Sequence, residues 1–292
     1  MNKLYKKRDG EIINKNDSQQ VLLNMLYKTA FGRMALKPLT ASVVSDIAGK
    51  FCDSAASQFM IMPFIEKAKI DLTEYEPASY RSFNEFFTRK IKPESRPIDM
   101  NPEHFISPCD SKLSIYKIDE QSVFSIKNSF YSVSSLIRCP KIAERYSGGW
   151  CMIFRLEVDD YHRYIYLDDG IKSSNKHING SYHTVNPVAL EEVNIYKENT
   201  RECTLLATEN FDDVIQVEVG ALMVGRIVNY HGKNHVMKRG EEKGKFEYGG
   251  STVVLLVKEG VMQPDADILA NSRDGIETIV KMGERVGVKI NK

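Results

Sequence analysis

The chain lacks the features typical of a disulfide-stabilised secreted protein or a membrane-spanning protein. It has five cysteines in 292 residues, an odd number, and no two of them stand in a Cys-x-x-Cys spacing. This pattern argues against a disulfide framework or a zinc site and favours a reducing compartment. The longest apolar runs, residues 59–65 and 253–257, are far shorter than the ~20 residues that span a bilayer. Residues 1–8 lead into polar sequence, so we expect no signal peptide.

The chain also lacks a large net charge of either sign. Its 40 Lys and Arg nearly balance its 39 Asp and Glu, and we expect no nucleic acid partner. The balance is nevertheless uneven along the chain. Residues 1–98 carry 16 Lys and Arg against 11 Asp and Glu, an excess of +5, so the remaining residues carry −4. A basic first third favours anionic partners such as lipid headgroups.

The first 98 residues are predicted to be mainly helical. Asp17 and Gln20 resemble an N-cap and its reciprocal partner, and a broad apolar face follows before Pro38 ends the helix. Further helices are predicted over about 53–69, broken or kinked at Pro63, and over 80–90. We expect region 1–98 to be helical and basic. Its apolar faces are expected to pack against the core, and contact with a membrane surface is the alternative use of them.

The periodicity changes after residue 98. Residues 113–118, 152–157, 193–196 and 214–219 alternate apolar with polar side chains, which predicts short strands of an antiparallel sandwich or barrel. Because helices come first and strands follow, the predicted fold class is α+β, with residues 99–292 as the β-rich catalytic core.

Two glycines precede Ser251 where an apolar strand begins. Glycine tolerates backbone conformations that other residues avoid, so the Gly250–Ser251 peptide can be held strained and open to attack. The hydroxyl of Ser251 is then placed to attack the carbonyl carbon of its own upstream peptide. On its own this pattern is more typical of a turn.

Four segments in chain order resemble the phosphatidylserine decarboxylase family of pyruvoyl-dependent enzymes, over roughly residues 80–290. Residues 82–98 are similar to the segment that introduces the family's catalytic core. Residues 107–111 are similar to its Pro-x-Asp-Gly motif, with Asp110 as the acid and Ser111 in place of glycine.

The other two segments contain a histidine and the serine. Residues 160–163 read Asp-Tyr-His-Arg, a motif of the family, and residues 240–252 resemble its processing site, with Gly249 where leucine or phenylalanine is often found. Residues 219–225 also resemble a core strand of these enzymes. Four ordered motifs agree by accident far less often than one.

The resemblance implies a proenzyme that cuts itself at Gly250–Ser251, with Asp110, His162 and Ser251 acting together. Attack on the Gly250 carbonyl would give an ester, β-elimination would break it, and residue 251 would end as a covalent pyruvoyl group without any pyridoxal phosphate. That group would form a Schiff base with phosphatidylserine, yielding phosphatidylethanolamine and carbon dioxide. His162 is the expected proton handler, and no metal is expected.

One position departs from the family pattern. Many relatives carry a second histidine three residues after the first, where this chain has Ile165. Either His162 serves both cleavage and decarboxylation, or another group such as His183 supplies one of the protons.

The remaining histidines and paired acids are assigned no function. His104, His177, His231 and His235 show no metal-ligand spacing together with acidic or cysteine partners. Residues 168–170 and 212–213 are predicted to form turns rather than a paired-carboxylate site.

Three alternatives stay open at this point: a pyruvoyl-dependent decarboxylase of a soluble amino acid such as tryptophan, a serine hydrolase, and a lipid-binding protein that does not process itself. The lack of a Gly-x-Ser-x-Gly elbow argues against the hydrolase. The expected location is peripheral, at the cytoplasmic face of the cell membrane. The expected partners are phosphatidylserine in an anionic membrane and the two fragments of the chain, and a homodimer is left open.

Overall fold

The computed structural model describes residues 3–15, 49–119, 121–127, 129–183, 196–220, 226–247 and 251–291. Its strands in chain order are β1 Lys3–Lys6, β2 Ile12–Lys15, β3 His104–Ile106, β4 Ser111–Lys117, β5 Phe124–Ile126, β6 Ser129–Tyr131, β7 Trp150–Leu156, β8 Arg163–Ile165, β9 Gly170–Lys172, β10 Lys176–Ile178, β11 Ser181–His183, β12 Tyr196–Glu198, β13 Arg201–Thr208, β14 Asp213–Val219, β15 Ile227–Asn229, β16 Val236–Met237, β17 Glu242–Phe246, β18 Ser251–Val257, β19 Met262–Pro264, β20 Glu277–Val280 and β21 Arg285–Lys289. Its α-helices are α1 Ile61–Ala68, α2 Phe83–Phe87, α3 Val133–Ile137, α4 Pro140–Ala143 and α5 Ala266–Arg273. Short 3₁₀ helices span Ala55–Met60, Leu72–Glu74, Pro93–Ser95 and Glu144–Tyr146.

A large central sheet organises the described residues. Its strands follow the order β16-β9-β13-β14-β18-β7-β4-β20-β1-β2, and β10 also pairs with β13. The pairing of β1 with β20 is parallel, and the other neighbours in this sheet are antiparallel. Smaller sheets of β15-β17-β8 and β19-β21-β3 accompany it. The α+β class predicted from the sequence is confirmed.

The central strand β18 is buried on both faces. Val253, Leu255 and Val257 join one hydrophobic core, whereas Val254 and Leu256 join a second core on the opposite side. Successive side chains of a strand point to opposite faces, so a strand between two cores must be apolar at every position. This explains why the stretch after Ser251 is a continuous apolar run rather than an alternating one.

Three of the alternating segments coincide with strands of this sheet. Residues 113–118, 152–157 and 214–219 fall on β4, β7 and β14, as predicted. Of residues 193–196, the description includes Tyr196 alone, in β12, and residues 221–225 lie outside the described residues. The prediction was accurate here because the alternation of side chains along a strand is a local property of the sequence, although most positions of these three strands are buried.

The helices predicted over 53–69 and 80–90 are present in shorter form. The first consists of the 3₁₀ turn Ala55–Met60 and α1, in which Pro63 is the third residue. A proline in the first turn removes no intrahelical hydrogen bond, so the break falls at the junction of the two helices rather than at Pro63. The second is α2, where the Ser82 side chain accepts a hydrogen bond from the Glu85 amide. The helix predicted from Asp17 lies outside the described residues.

The N-terminal residues form a hairpin rather than a helix. Strands β1 and β2 pair with each other, and β1 extends the central sheet by pairing with β20. Tyr5 is buried, and its hydroxyl donates to Glu157 Oε1 at 2.7 Å. The prediction of a mainly helical first 98 residues is therefore wrong for residues 3–15, because a pairing partner 270 residues away leaves no local signal.

Candidate active site

Ser251 opens β18 in the middle of the central sheet. It lies opposite Leu156 of β7, and the next residue, Thr252, lies opposite Val219 of β14. The Ser251 side chain is buried. Gly250, the other half of the predicted cleavage site, lies outside the described residues. The candidate nucleophile is thus held by strands on both sides.

A tight loop after β7 brings His162 back towards Ser251. The Asp160 carboxylate accepts a hydrogen bond from the Glu157 amide at 2.6 Å, and the Asp160 amide donates to the Glu157 carbonyl at 3.1 Å. Both carboxylate oxygens of Asp160 also lie 2.8 Å from Lys112 Nζ. The aspartate of the Asp-Tyr-His-Arg motif therefore closes the turn that precedes the histidine.

The structure brings His162 and Ser251 together. His162 Nδ1 lies 3.4 Å from Ser251 Oγ, and both side chains are buried. The imidazole stacks on the Phe87 ring of α2, with 4.0 Å between ring centroids. Within the described part of the chain, His162 Nε2 has no hydrogen-bond partner although it is buried. One ring nitrogen thus faces the serine, and the other is a buried polar atom without a partner in the described part of the chain.

Burial and a neighbouring cation keep His162 neutral. Loss of solvent lowers its pKa from 6.5 to about 3, and the positive charge of Arg89 acts in the same direction. A backbone hydrogen bond at Glu157 opposes this shift. A neutral imidazole can accept the proton of a serine hydroxyl, which an imidazolium cannot. The 3.4 Å separation is long for a hydrogen bond, but such contacts tighten when the reacting groups engage.

Asp110 is held by an arginine rather than by His162. Its carboxylate accepts hydrogen bonds from Arg96 at 2.7–3.0 Å and from the Met282 amide at 2.8 Å. Both Asp110 and Arg96 are buried, and Arg96 also reaches Glu74 at 3.0 Å. The ion pair fixes the segment that follows α2 against the loop before β4. Asp110 therefore lies in a separate contact from the His162–Ser251 pair.

Arg163 connects the histidine motif to the end of α2. Its guanidinium donates to the Thr88 carbonyl at 2.6 and 2.9 Å and to Glu242 Oε1 at 2.6 Å. A cation at the carbonyl end of a helix satisfies acceptors that lack intrahelical partners. Glu242 begins β17, the strand that leads toward the predicted cleavage site. Arg163 thus connects residues 82–98, 160–163 and 240–252, which are three of the four segments that resemble the family.

Arg89 and Phe87 belong to the site but were not identified as site residues from the sequence. Arg89 is 2% exposed, lies 4.2 Å above the Tyr75 ring, and donates to the Tyr75 hydroxyl at 3.0 Å. Among the described residues no carboxylate pairs with it, and its Nε has no hydrogen-bond partner. The available signal was their position within residues 82–98, but neither residue type by itself indicates a place beside the candidate histidine.

The position of the missing second histidine is apolar. Ile165 is buried in one of the two main cores, and its amide donates to the Pro108 carbonyl at 2.9 Å. The side chain of His183 lies outside the described residues. Ile165 therefore offers no proton-transfer group, and the substitution by His183 stays a prediction.

The other histidines lie apart from Ser251. His104 contacts Asp99 at 2.7 Å, and His177 contacts Asn179 at 2.9 Å. His231 and His235 stack on each other with 3.8 Å between ring centroids. This last pair, together with Glu241, forms a cluster in which three side chains could hold a metal ion.

The paired acids occupy turns. Asp212 has a φ of +55°, and Gly170 has a φ of +150° where an added Cβ would meet the Ala207 carbonyl oxygen at 2.1 Å. Asp168 is buried and accepts hydrogen bonds from Asn210 at 2.8 and 3.0 Å. Their carboxylates shape the backbone.

Comparison with known proteins places the chain among named relatives. The profile of the family described as phosphatidylserine decarboxylase matches residues 83–288. The chain is 49% identical over 266 residues to "Phosphatidylserine decarboxylase proenzyme 2" of Clostridium acetobutylicum, covering 91% of each chain. It is 41% identical to a phosphatidylserine decarboxylase proenzyme of Ruminiclostridium cellulolyticum, over 93% of this chain and 92% of that one. It is 39% identical to one of Clostridium tetani, over 99% of each.

Within the described residues, no helix combines the length and the apolar character that a transmembrane segment requires.

Proposed function

This chain belongs to the phosphatidylserine decarboxylase family, and we propose that it is a proenzyme that cleaves itself between Gly250 and Ser251 and then decarboxylates phosphatidylserine. It is an enzyme of the carboxy-lyase class. The observation that carries the proposal is the buried contact of 3.4 Å between Ser251 Oγ and His162 Nδ1. A serine needs such a base, because its hydroxyl is a poor nucleophile until its proton is accepted.

In the proposed cleavage, Ser251 and His162 perform the first step. The His162 imidazole takes the hydroxyl proton while Ser251 Oγ attacks the Gly250 carbonyl carbon, and the amide is exchanged for an ester. Removal of the Cα proton of residue 251 then expels the Gly250 carboxylate by β-elimination. Addition of water to the dehydroalanine that remains releases ammonia and leaves a pyruvoyl group at the new N-terminus.

The residues around Ser251 fit such a group. Position 251 is buried at the start of a strand, and the buried Nε2 of His162 has no partner among the described residues. The pyruvoyl carbonyl would supply an electron sink for the pair released with carbon dioxide. His162 would then hold and deliver the proton that replaces the lost carboxylate, while the ring of Phe87 keeps the imidazole in place.

Asp110 stays in the proposed catalytic set with a different role from the orienting acid of a triad. Its carboxylate is engaged by Arg96 and the Met282 amide. We expect it to act on the reaction by fixing residues 82–98, and with them Phe87 and Arg89, beside His162.

The proposed substrate resides in an anionic membrane, and the enzyme would bind the cytoplasmic face peripherally. A patch on and before α1 supports this: Phe59 is 72% exposed and Met62 is 61% exposed, one helical turn apart, and Phe51 is also exposed. Lys67 follows in the last turn of α1. Apolar side chains flanked by lysines suit the boundary between acyl chains and anionic headgroups. Assignment to the cytoplasmic face relies on the five free cysteines, which suit a reducing compartment.

The alternatives are weaker. A decarboxylase of a soluble amino acid needs no membrane contact, so the exposed apolar patch around Phe59 would have no function in it. A serine hydrolase would need an acid oriented towards His162, whereas Asp110 pairs with Arg96. A homodimer stays a prediction to be tested by sedimentation.

The test of self-cleavage compares Ser251→Ala with the parent chain. We expect denaturing electrophoresis and intact mass measurement to give residues 1–250 and 251–292 for the parent and one chain for the variant, because the variant has no nucleophile. Ser129→Ala is the matched control, since it also removes a buried serine hydroxyl, and that of Ser129 has no hydrogen-bond partner among the described residues. The control should process normally. Fragments from Ser251→Ala at the parent's rate would refute the mechanism.

The test of the substrate uses the processed enzyme. Carbon dioxide release is measured with phosphatidylserine vesicles and, separately, with free serine and free tryptophan. We expect release with the vesicles. Release with a free amino acid alone would favour the soluble-substrate alternative.

A further inference from the structure

We infer that His231, His235 and Glu241 form a binding site for a zinc-like transition-metal ion, distinct from the Ser251 site. The ligand atoms of these three side chains all lie within 4.8 Å of one another. His231 Nε2 lies 3.4 Å and His235 Nε2 lies 2.9 Å from the same Glu241 oxygen. Tetrahedral zinc with bonds of 2.0–2.2 Å separates its ligand atoms by about 3.3 Å. The cluster is close to that geometry.

The donor set selects the class of ion. Two imidazole nitrogens and one carboxylate suit zinc and its neighbours, whereas magnesium and calcium prefer oxygen alone. The two histidines are four positions apart, a spacing found in zinc sites. Their spacing in the sequence predicts no metal site, because the acidic partner, Glu241, comes six residues after the second histidine. The chain turns back after β16, and this turn brings Glu241 beside His231 and His235.

The surroundings orient the ligands. The Tyr166 hydroxyl lies 3.1 Å from His231 Nδ1, which leaves Nε2 of that ring directed at Glu241. Lys172 Nζ donates to the His231 carbonyl at 2.7 Å, and the Lys172 amide donates to the His235 carbonyl at 3.1 Å. Both ends of the 231–235 loop are therefore fixed on β9. Without such fixation the two rings would not be kept near one carboxylate.

The site is accessible and incomplete. The side chains of His231, His235 and Glu241 are 25%, 27% and 30% exposed. Three protein ligands facing solvent leave a fourth position for water. The rings now lie parallel, with an angle of 3° between their planes, so binding requires them to splay about their side-chain torsions. Those torsions are soft, and part-exposed rings have room to turn.

The position of the site indicates a structural role. Glu241 immediately precedes β17, the strand that leads toward Ser251, and its carbonyl accepts a hydrogen bond from the Tyr166 amide at 2.9 Å. Tyr166 follows β8, which begins next to His162. An ion held by His231, His235 and Glu241 would tie the 231–235 loop to the start of β17 and stabilise the frame around the cleavage segment.

The test titrates zinc chloride into the full-length protein after removal of metals with a chelator and dialysis. Calorimetry should give one equivalent of zinc, and the melting temperature should rise with zinc but not with magnesium chloride. His235→Ala and Glu241→Gln should each bind zinc at least about tenfold more weakly and lose the shift in melting temperature. His177→Ala, which changes an exposed histidine outside the cluster, should behave as the parent.

Two results would overturn the inference. The first is a parent protein that neither binds zinc nor gains thermal stability from it. The second is equal zinc binding by the parent and by Glu241→Gln, which would indicate adventitious binding elsewhere, for example at the half-buried Cys139. If His235→Ala folds poorly, zinc binding by Glu241→Gln still tests the inference, since glutamine keeps the shape of the glutamate side chain. Each measurement follows metal binding rather than decarboxylation, so its outcome is independent of the proposed function.

Discussion

At the scale of single residues, the state of His162 depends on what surrounds it. An exposed imidazole titrates near pH 6.5, but burial and the charge of Arg89 lower its pKa to about 3. The residue is therefore neutral above about pH 3 in the folded chain. The neutral ring keeps a lone pair for the proton of Ser251, but the lowered pKa makes it a weaker base than an exposed imidazole, and the shift also links the residue to stability.

We predict that His162 lowers the stability of the folded chain as the solution becomes acidic. Below pH 6.5 the unfolded chain binds a proton at this residue, whereas the folded chain does not bind one until about pH 3. The contribution of His162 to the free energy of unfolding is therefore fully present above pH 6.5 and is lost as the pH falls towards 3. Urea unfolding at several pH values gives the free energy of unfolding as a function of pH. The slope of that free energy against pH should be smaller by about 1.4 kcal/mol per pH unit in Ser251→Ala/His162→Leu than in Ser251→Ala.

The Ser251→Ala background keeps both proteins as single chains, so that one unfolding transition is compared with another. Identical slopes between about pH 4 and 6 in the two proteins would mean that His162 is protonated in the folded state.

At the scale of elements, the site depends on how α2 is attached to the strands. The five-residue α2 is too short to be stable alone. Its phenylalanines pack with Ile61 and Cys52 in a small separate core, and Arg163 holds its C-terminal end. These contacts position the helix so that Phe87 stacks on His162, and they hold Arg89, two residues after α2, where its charge acts on the imidazole.

We predict that Arg163→Gln loosens this attachment. The variant loses charge-assisted hydrogen bonds to the Thr88 carbonyl and the ion pair with Glu242, which should lower the free energy of unfolding by about 2 kcal/mol and slow self-cleavage. Urea unfolding in the Ser251→Ala background and the rate of fragment appearance in the Ser251 background measure the two effects.

Arg145→Gln serves as the control for that experiment. Arg145 pairs with Asp213, but its side chain is 49% exposed, so its loss should change stability by less than about 1 kcal/mol and leave cleavage unaffected. An equal effect of the two substitutions would contradict the proposed coupling between α2 and β8.

At the scale of the whole molecule, the hairpin of residues 3–15 changes how membrane binding can be tested. Deleting residues 1–50 would remove β1, and with it the buried Tyr5 and its hydrogen bond to Glu157. Such a truncation would disturb the central sheet as well as any membrane contact. Point substitutions in the exposed patch around Phe59 avoid this problem.

We predict that Phe59→Ser/Met62→Ser weakens sedimentation with phosphatidylserine-containing vesicles by about tenfold or more, because two apolar side chains no longer enter the membrane boundary. Phe130→Ser is the matched control, since Phe130 is 66% exposed on β6, away from α1. Equal vesicle binding by the patch variant and the parent would rule out this face, and an equal loss in the control would show a non-specific effect.

Much of the β-rich part of the fold could be predicted from the chain alone. Alternation identified β4, β7 and β14, and the continuous apolar run after Ser251 predicted β18, whose two faces the structure shows to be buried. The motif Asp-Tyr-His-Arg singled out the histidine that lies beside Ser251. These predictions succeeded because strand periodicity and short motifs are contained in a few consecutive residues.

Other features required the three-dimensional structure. The pairing of β1 with β20, the choice of Arg96 as the partner of Asp110, and the meeting of Glu241 with two histidines all depend on chain segments brought together by folding. The depressed pKa of His162 likewise arises from burial under α2, which no local pattern reports. The sequence by itself determined strands β4, β7, β14 and β18 and the candidate reactive side chains, since those depend on neighbouring residues. Only the tertiary structure decided the partners and charge states of those side chains, since electrostatics and hydrogen bonding act through space.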